Sequence, residues 1–164
     1  MSQAFITYIK ENYSEEEIPL EIGAGYESTK YFSEHFKKMY SVEDKSKFCN
    51  LYHSNYIQVD LDANGWYNSE DLKQALPTDY TFIVLDGPLG GFDPPFKKQE
   101  GKIFRSGFVK VSWDYIKKDV DIIVDDIIRN GYDWYELEVV AFLKNENYSC
   151  VDKGTFCVCS PLTK

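Results

Sequence analysis

The residues of this chain that can do chemistry sit where short extended runs end in acids. The first is PLEIGAGYEST, residues 19–29. Glu21 closes an extended run, Gly23 and Gly25 flank Ala24, and Ser28-Thr29 open an amphipathic segment. A strand that turns into a helix within so few residues needs positions that accept positive φ. Glycine also lacks the Cβ that would hold a ligand away from the backbone. The helix start beyond the turn offers free N–H groups and the positive end of a dipole. A pyrophosphate dinucleotide normally takes a third glycine three residues on, where this chain has Ser28, so that fingerprint is incomplete. Tight packing of strand against helix would use the same glycines.

Two acids narrow the ligand. Glu43 ends a second extended run twenty positions after Gly23, where a carboxylate can accept hydrogen bonds from both hydroxyls of a ribose. Glu21, just before the glycines, suits a cationic amino group rather than a pyrophosphate. A nucleoside carrying an amino acid, S-adenosylmethionine, answers to both. Asp44 stands beside Glu43, and Asp60, Asp86 and the pair Asp125-Asp126 end further runs, so one rim of a sheet should collect them. There Asp86 and Asp125 could take a proton from a hydroxyl, and Asp86, Asp125 and Asp126 could bind Mg²⁺ or another hard divalent cation. The plain alternative is turn chemistry, with Asp125 or Asp126 capping a helix or pairing with Arg129.

The elements that must position these acids alternate between strand and helix patterns. SQAFITYIKENY reads as an amphipathic helix behind Ser2, lying on the domain. IPLEIG, KMYSVED and NYIQVDL read as strands, with helices from Ser28 to about Lys37 and over KSKFCNLYH. A short helix capped by Ser69 stops at Pro77. YTFIVLD and VDIIVDD are continuous apolar runs of the kind found in central parallel strands covered on both faces. Between them, a loop rich in glycine and proline leads to a helix from about Ser106 carrying Val109, Trp113 and Ile116. GYDWYELEVVAFLKNEN is the longest helix pattern, and YSCVD and TFCVCSP form a closing antiparallel hairpin. The fold class is therefore α/β, a doubly wound sheet with right-handed crossovers. Residues 1–17 form an N-terminal helix packing on a Rossmann-like domain of residues 18–164.

Composition sets the outer bounds. The 164 residues suffice for one domain with a sizeable core. Eighteen basic against 27 acidic residues give a net charge of −9, which repels a phosphate backbone unless basic residues cluster. Beyond the pairs Lys37-Lys38, Lys97-Lys98 and Lys117-Lys118 they do not, so no nucleic-acid partner is expected. No apolar run is long enough to span a bilayer, and no signal peptide is read at the N-terminus. Cys49, Cys150, Cys157 and Cys159 are expected as buried reduced thiols, with Cys157 and Cys159 too poorly spaced for a zinc knuckle. The expected compartment is the cytoplasm.

LEIGAGYEST, MYSVEDK, YIQVDL and YTFIVLDGP resemble, in order and spacing, the cofactor motifs of class I S-adenosylmethionine-dependent methyltransferases, over roughly residues 18–160. The resemblance implies a seven-stranded sheet of order 3-2-1-4-5-7-6 with the last strand antiparallel. It implies that Gly23, Ala24 and Gly25 line the methionine moiety, with Ser28 at the turn and Glu21 near the ammonium. Glu43 and Asp44 then hold the ribose, Asp60 or Leu61 the adenine, and Asp86-Gly87 lie beside the sulfonium. Glu27 stands where many members have a third glycine. The acids ending the fourth and fifth strands resemble the pattern of cation-dependent O-methyltransferases, although Asp126 stands where many relatives have Asn. LDGPLGGFDPP with KIFRSGF resembles methyltransferases linked to polysaccharide biosynthesis, which implies that Arg105 binds a carboxylate or phosphate of the acceptor. FDPPF, residues 92–96, only imitates the motif of amino-group methyltransferases of nucleic acids. The implied activity is methylation of a hydroxyl on a small molecule or sugar, with acceptor recognition by the N-terminal helix, the 87–106 loop or a second copy of the chain in a homo-oligomer. The alternatives are a dinucleotide- or nucleotide-sugar-binding Rossmann enzyme and a catalytically silent binding subunit.

Overall fold

The computed structural model describes residues 2–88, 99–127 and 135–162. The loop motif FDPPF and its glycines, Lys97-Lys98, Arg129 and the start of the longest helix pattern lie outside the described residues.

Helix α1 (Gln3–Asn12) starts at Ser2, whose Oγ accepts the Phe5 N–H at 3.2 Å, and it buries Phe5 and Ile9. Strand β1 (Pro19–Ile22) leads through the glycine turn into α2 (Ser28–His35), then β2 (Tyr40–Glu43) and β3 (Asn55–Gln58). Helix α3 (Ser69–Ala75), β4 (Phe82–Leu85), α4 (Gly107–Lys110), β5 (Asp121–Asp125), α5 (Tyr135–Asn145), β6 (Tyr148–Asp152) and β7 (Phe156–Pro161) complete the order. Seven strands form one sheet in the order β3-β2-β1-β4-β5-β7-β6. Strands β1 to β5 run parallel, while β7 is antiparallel to both β5 and β6. Sheet order and antiparallel ending are those that the sequence motifs imply.

Side-chain alternation sorts the core into two layers. Phe82, Val84, Ile123, Phe156 and Val158 face α1 and α2, packing on Phe5, Ile9, Phe32 and Phe36. Leu20, Ile22, Ile83, Leu85, Ile122 and Val124 face the other way, onto Trp66, Leu72, Phe108, Val139 and Leu143. Because both faces are covered, β4 and most of β5 read as unbroken apolar runs rather than alternating ones, and β1 is buried throughout although it carries Glu21. The edge strand β3 is only partly buried. Among the described residues no helix is long and apolar enough to cross a membrane.

Three expectations about elements change. KSKFCNLYH makes only a 3-10 turn, Ser46–Phe48: Cys49 is already extended (φ −79°, ψ 149°) and Asn50 then takes the left-handed conformation (φ 60°). Asn68, not Ser69, caps α3, its Oδ1 accepting the Asp71 N–H at 3.1 Å. Beyond Ser106 the helix lasts one turn, since the Val111 and Ser112 N–H groups both converge on the Gly107 carbonyl. The Ser112 hydroxyl then accepts the Trp66 indole N–H at 2.9 Å, so a buried side-chain bond fixes the segment in place of further helix.

Candidate functional site

The sheet order reverses between β1 and β4, and the chain leaves both strands there through glycine turns. The Asp86 and Gly87 N–H groups donate to the Ile22 carbonyl at 2.9 and 2.7 Å, and the Gly23 N–H donates to Val42 at 2.9 Å. These bonds tie the carboxyl ends of β1, β2 and β4 into one floor. Above it opens a cleft of about 320 Å³, lined by the turn Gly23–Tyr26, by Glu43, Lys45, Lys47 and Phe48, and by Asp86-Gly87. Its place matches the general position of ligands in doubly wound sheets, and its size is at the lower end for small-molecule sites.

Gly23 and Gly25 serve different ends. Gly23 has φ +96°, and a Cβ there would stand 2.3 Å from Gly87 Cα. Its missing side chain is therefore filled by protein, not by ligand, contrary to the simple reading of the turn. A Cβ on Gly25 would meet only Ser28 Oγ, at an ordinary 3.7 Å, so Gly25 is the glycine that leaves room in the cleft.

Glu21 lies beneath this turn, fully buried between β1 and α2, and does not line the cleft. Its Oε2 accepts the Thr29 hydroxyl at 2.7 Å and the Ser41 hydroxyl at 2.9 Å, while Thr29 Oγ1 accepts the Gly25 N–H at 2.8 Å. The acid thus holds the turn through Thr29. Its Oε1 is buried without a partner in hydrogen-bond geometry, although the buried Ser28 hydroxyl lies near. Burial pushes the carboxyl up to about 8, against the opposing pull of the Ser28, Thr29 and Ser41 hydroxyls. Glu43 does reach the cleft. It accepts the Lys45 N–H at 3.0 Å and is pushed up to about 7, chiefly by burial, with the Lys45 N–H opposing and the Asp44 carboxylate adding to the rise.

Asp60 and Leu61 lie beyond the end of β3, outside the cleft wall. Asp60 is exposed, its carbonyl accepting the Asn68 N–H, and Leu61 bridges to Tyr67. The wall instead carries Tyr26, 58% exposed, whose ring stands edge-on to Phe48 at 5.1 Å, with the Lys47 ammonium 4.7 Å over Phe48. Sequence reasoning missed Tyr26, Lys45, Lys47 and Phe48. The signal available was Tyr26 itself, a large aromatic inside a glycine turn; the other three were assigned to a helix that does not form.

At the far side of the cleft, carboxylate oxygens of Asp86, Asp125 and Asp126 come within 4.8 Å of one another. The acids therefore gather as their strand-end positions imply, but a cation already stands among them. Arg105, 4% exposed, reaches in from the 3-10 turn Phe104–Ser106. Its Nη2 lies 3.2 Å from Asp86 Oδ1 and 3.6 Å from Asp126 Oδ2, and its Nη1 lies 2.8 Å from Glu136 Oε1. The carbonyls of Asp86 and Asp125 accept from the same guanidinium. Arg105 thus engages one carboxylate oxygen of Asp86 and one of Asp126, acids that a hard dication would also draw on, while the Asp125 carboxylate stays outside these ion pairs. This arginine is not a surface group presented to an acceptor. Asp125 is buried, its Oδ1 accepting the Asp126 N–H, whereas Asp86 lines the cleft.

No family model and no curated protein sequence matches the chain. Solved structures do. The magnesium protoporphyrin IX methyltransferase of Synechocystis PCC 6803, solved with bound S-adenosylmethionine, superposes with a TM-score of 0.60 at 10% identity, over 97% of this chain and 77% of that one. A putative methyltransferase from Streptococcus mutans, in complex with S-adenosylhomocysteine, gives 0.55 at 9% identity over 99% of both chains. Precorrin 8w decarboxylase from Methanobacterium thermoautotrophicum gives 0.58 at 13% identity, over 99% of this chain and 91% of that one. The chain shares the Rossmann-like fold of these structures, with the seven-stranded sheet order that the sequence resemblance implies.

Proposed function

We propose that this chain transfers a methyl group from S-adenosylmethionine to a hydroxyl of a small molecule or sugar. The observation that carries the reading is a single cleft holding the open turn at Gly25, the buried acid Glu43 and the partly buried Asp86. In this reading the turn Gly23–Gly25 receives the methionine moiety and Glu43 the ribose hydroxyls. Tyr26 and Phe48 offer the adenine a ring wall that Asp60 and Leu61 do not. Glu21 and Ser28 support the turn from beneath, and Asp44 tunes Glu43. S-adenosylmethionine supplies an electrophilic methyl group, so the chain's own task is to position the acceptor and take its proton. Asp86 is the acid placed for that, oriented by Arg105, while buried Asp125 acts through the cluster. A divalent cation at Asp86, Asp125 and Asp126 would have to share Asp86 and Asp126 with Arg105.

The acidic net charge argues against a nucleic-acid acceptor. The free thiols are compatible with the cytoplasm, and a second copy of the chain could complete the acceptor side. Lys45 and Lys47 at the cleft favour one other reading, a nucleotide-sugar or dinucleotide enzyme, because two ammonium groups suit phosphates. Calorimetric titration decides between them. S-adenosylhomocysteine is expected to bind one per chain, more tightly at pH 8 than at pH 6, because ionised Glu43 accepts the ribose hydroxyls. Glu43→Gln should weaken binding at least tenfold and remove the pH dependence. Binding of NAD without binding of S-adenosylhomocysteine would overturn the proposal, and binding without turnover on any hydroxyl acceptor would leave a silent binding subunit.

A further inference from the structure

At the opposite end of the sheet from β3, the closing hairpin brings together three of the four cysteines. Cys157 and Cys159 alternate on one face of β7, and Cys150 on β6 is the direct cross-strand partner of Cys159. Directly opposed residues of an antiparallel pair share a face, so β6 supplies the third thiol that spacing along β7 alone cannot. The three sulfur atoms lie within 4.8 Å of one another, with Cys157 and Cys159 at 3.8 Å. All three are free thiols; Cys157 and Cys159 are buried and Cys150 is half-buried at the sheet edge, which gives the group one way in.

We propose that Cys150, Cys157 and Cys159 form a three-thiolate site for a soft monovalent metal ion of the copper(I) type, separate from the cleft. Metal–sulfur bonds of about 2.3 Å arranged trigonally place sulfurs about 4 Å apart. The Cys157–Cys159 pair already has that spacing, and the widest pair needs to close by less than about 1 Å. Thiolates select soft ions, and the donor number selects among them. Both histidines and Cys49 lie elsewhere, His35 on α2 and His53 and Cys49 between β2 and β3 at the far edge. A tetrahedral zinc site would lack its fourth nitrogen or sulfur ligand. Each thiol that ligates releases its proton to solvent as the metal–sulfur bond forms, with no change of oxidation state. The bound ion would cross-link β6, the outermost strand, to β7.

The test is anaerobic titration of the reduced full-length chain with copper(I) against a chromophoric chelator. The wild type is expected to retain one copper(I) per chain, develop sulfur-to-copper charge-transfer absorption and unfold at a higher temperature when loaded. Cys150→Ser, at the accessible edge, should keep the circular dichroism of the wild type and retain copper at least tenfold less tightly. Cys49→Ser should behave as the wild type. Wild-type affinity in folded Cys150→Ser, a loss of retention in Cys49→Ser, failure of the wild type to hold copper(I) against the chelator, or preferential retention of zinc would each overturn the proposal.

Discussion

Gly23 and Gly25 stand two residues apart and are bare for different reasons. A methyl group at position 23 runs into the backbone of Gly87 and must tolerate φ +96°. Gly23→Ala should therefore cost at least about 2 kcal/mol of folding stability, measured by urea unfolding. A methyl group at position 25 meets only the Ser28 hydroxyl. Gly25→Ala should leave the urea midpoint unchanged and weaken S-adenosylhomocysteine at least tenfold by calorimetry; unchanged affinity would remove Gly25 from the ligand site. The motif announced the turn but could not separate these roles, because the Cβ of residue 23 collides with the turn after β4, at Gly87, far away in the chain. Glu21 shows the same limit. Its acid type was legible, yet its task beneath the turn depends on Ser41 and Thr29, which only strand register and the helix start bring to it.

Elements differ in how much of their fate is local. The apolar runs of β4 and β5 and the Ser2 cap of α1 were readable because burial on both faces and a cap leave marks in adjacent residues. The KSKFCNLYH and 106–118 segments were not, since in each a remote contact, Phe48 on Tyr26 or Ser112 on Trp66, accompanies a chain that leaves the helix early. The turn Phe104–Ser106 is held by Arg105, which joins it to the ends of β4 and β5 and to α5. Removing this buried cation leaves acids uncompensated. Arg105→Met should cost about 3–5 kcal/mol in chemical denaturation, and adding Glu136→Gln should recover part of that loss. A surface arginine serving only an acceptor would leave stability unchanged in Arg105→Met and fail this prediction.

At the scale of the whole molecule, stability should depend on pH in a direction opposite to the usual carboxylate case. Glu21 and Glu43 hold their protons up to about 8 and about 7 when folded, far above unfolded glutamates. Between the unfolded value and those values the folded state binds more protons, so these two groups make stability fall as pH rises across that window, each by at most about 1.4 kcal/mol per unit. Glu21→Gln removes one such proton. Its loss of melting temperature between pH 5 and pH 8.5 should be smaller than that of the wild type, and an equal loss would show that Glu21 is ionised in the fold. The superposable structures carry the names of methyltransferases and of a decarboxylase, so at this scale the fold alone does not select a reaction. The sequence by itself determined the alternating architecture and the acids and glycines of the rim, because periodicity, turn glycines and strand-end charges are properties of neighbouring residues; the strand order was implied only by the family resemblance. Only the tertiary structure decided which glycine faces a ligand, which acid is sealed beneath the turn, that Arg105 occupies the acid cluster, and that Cys150 joins Cys157 and Cys159. Each of those is a contact between segments far apart in the chain, fixed by register and packing rather than by any local pattern.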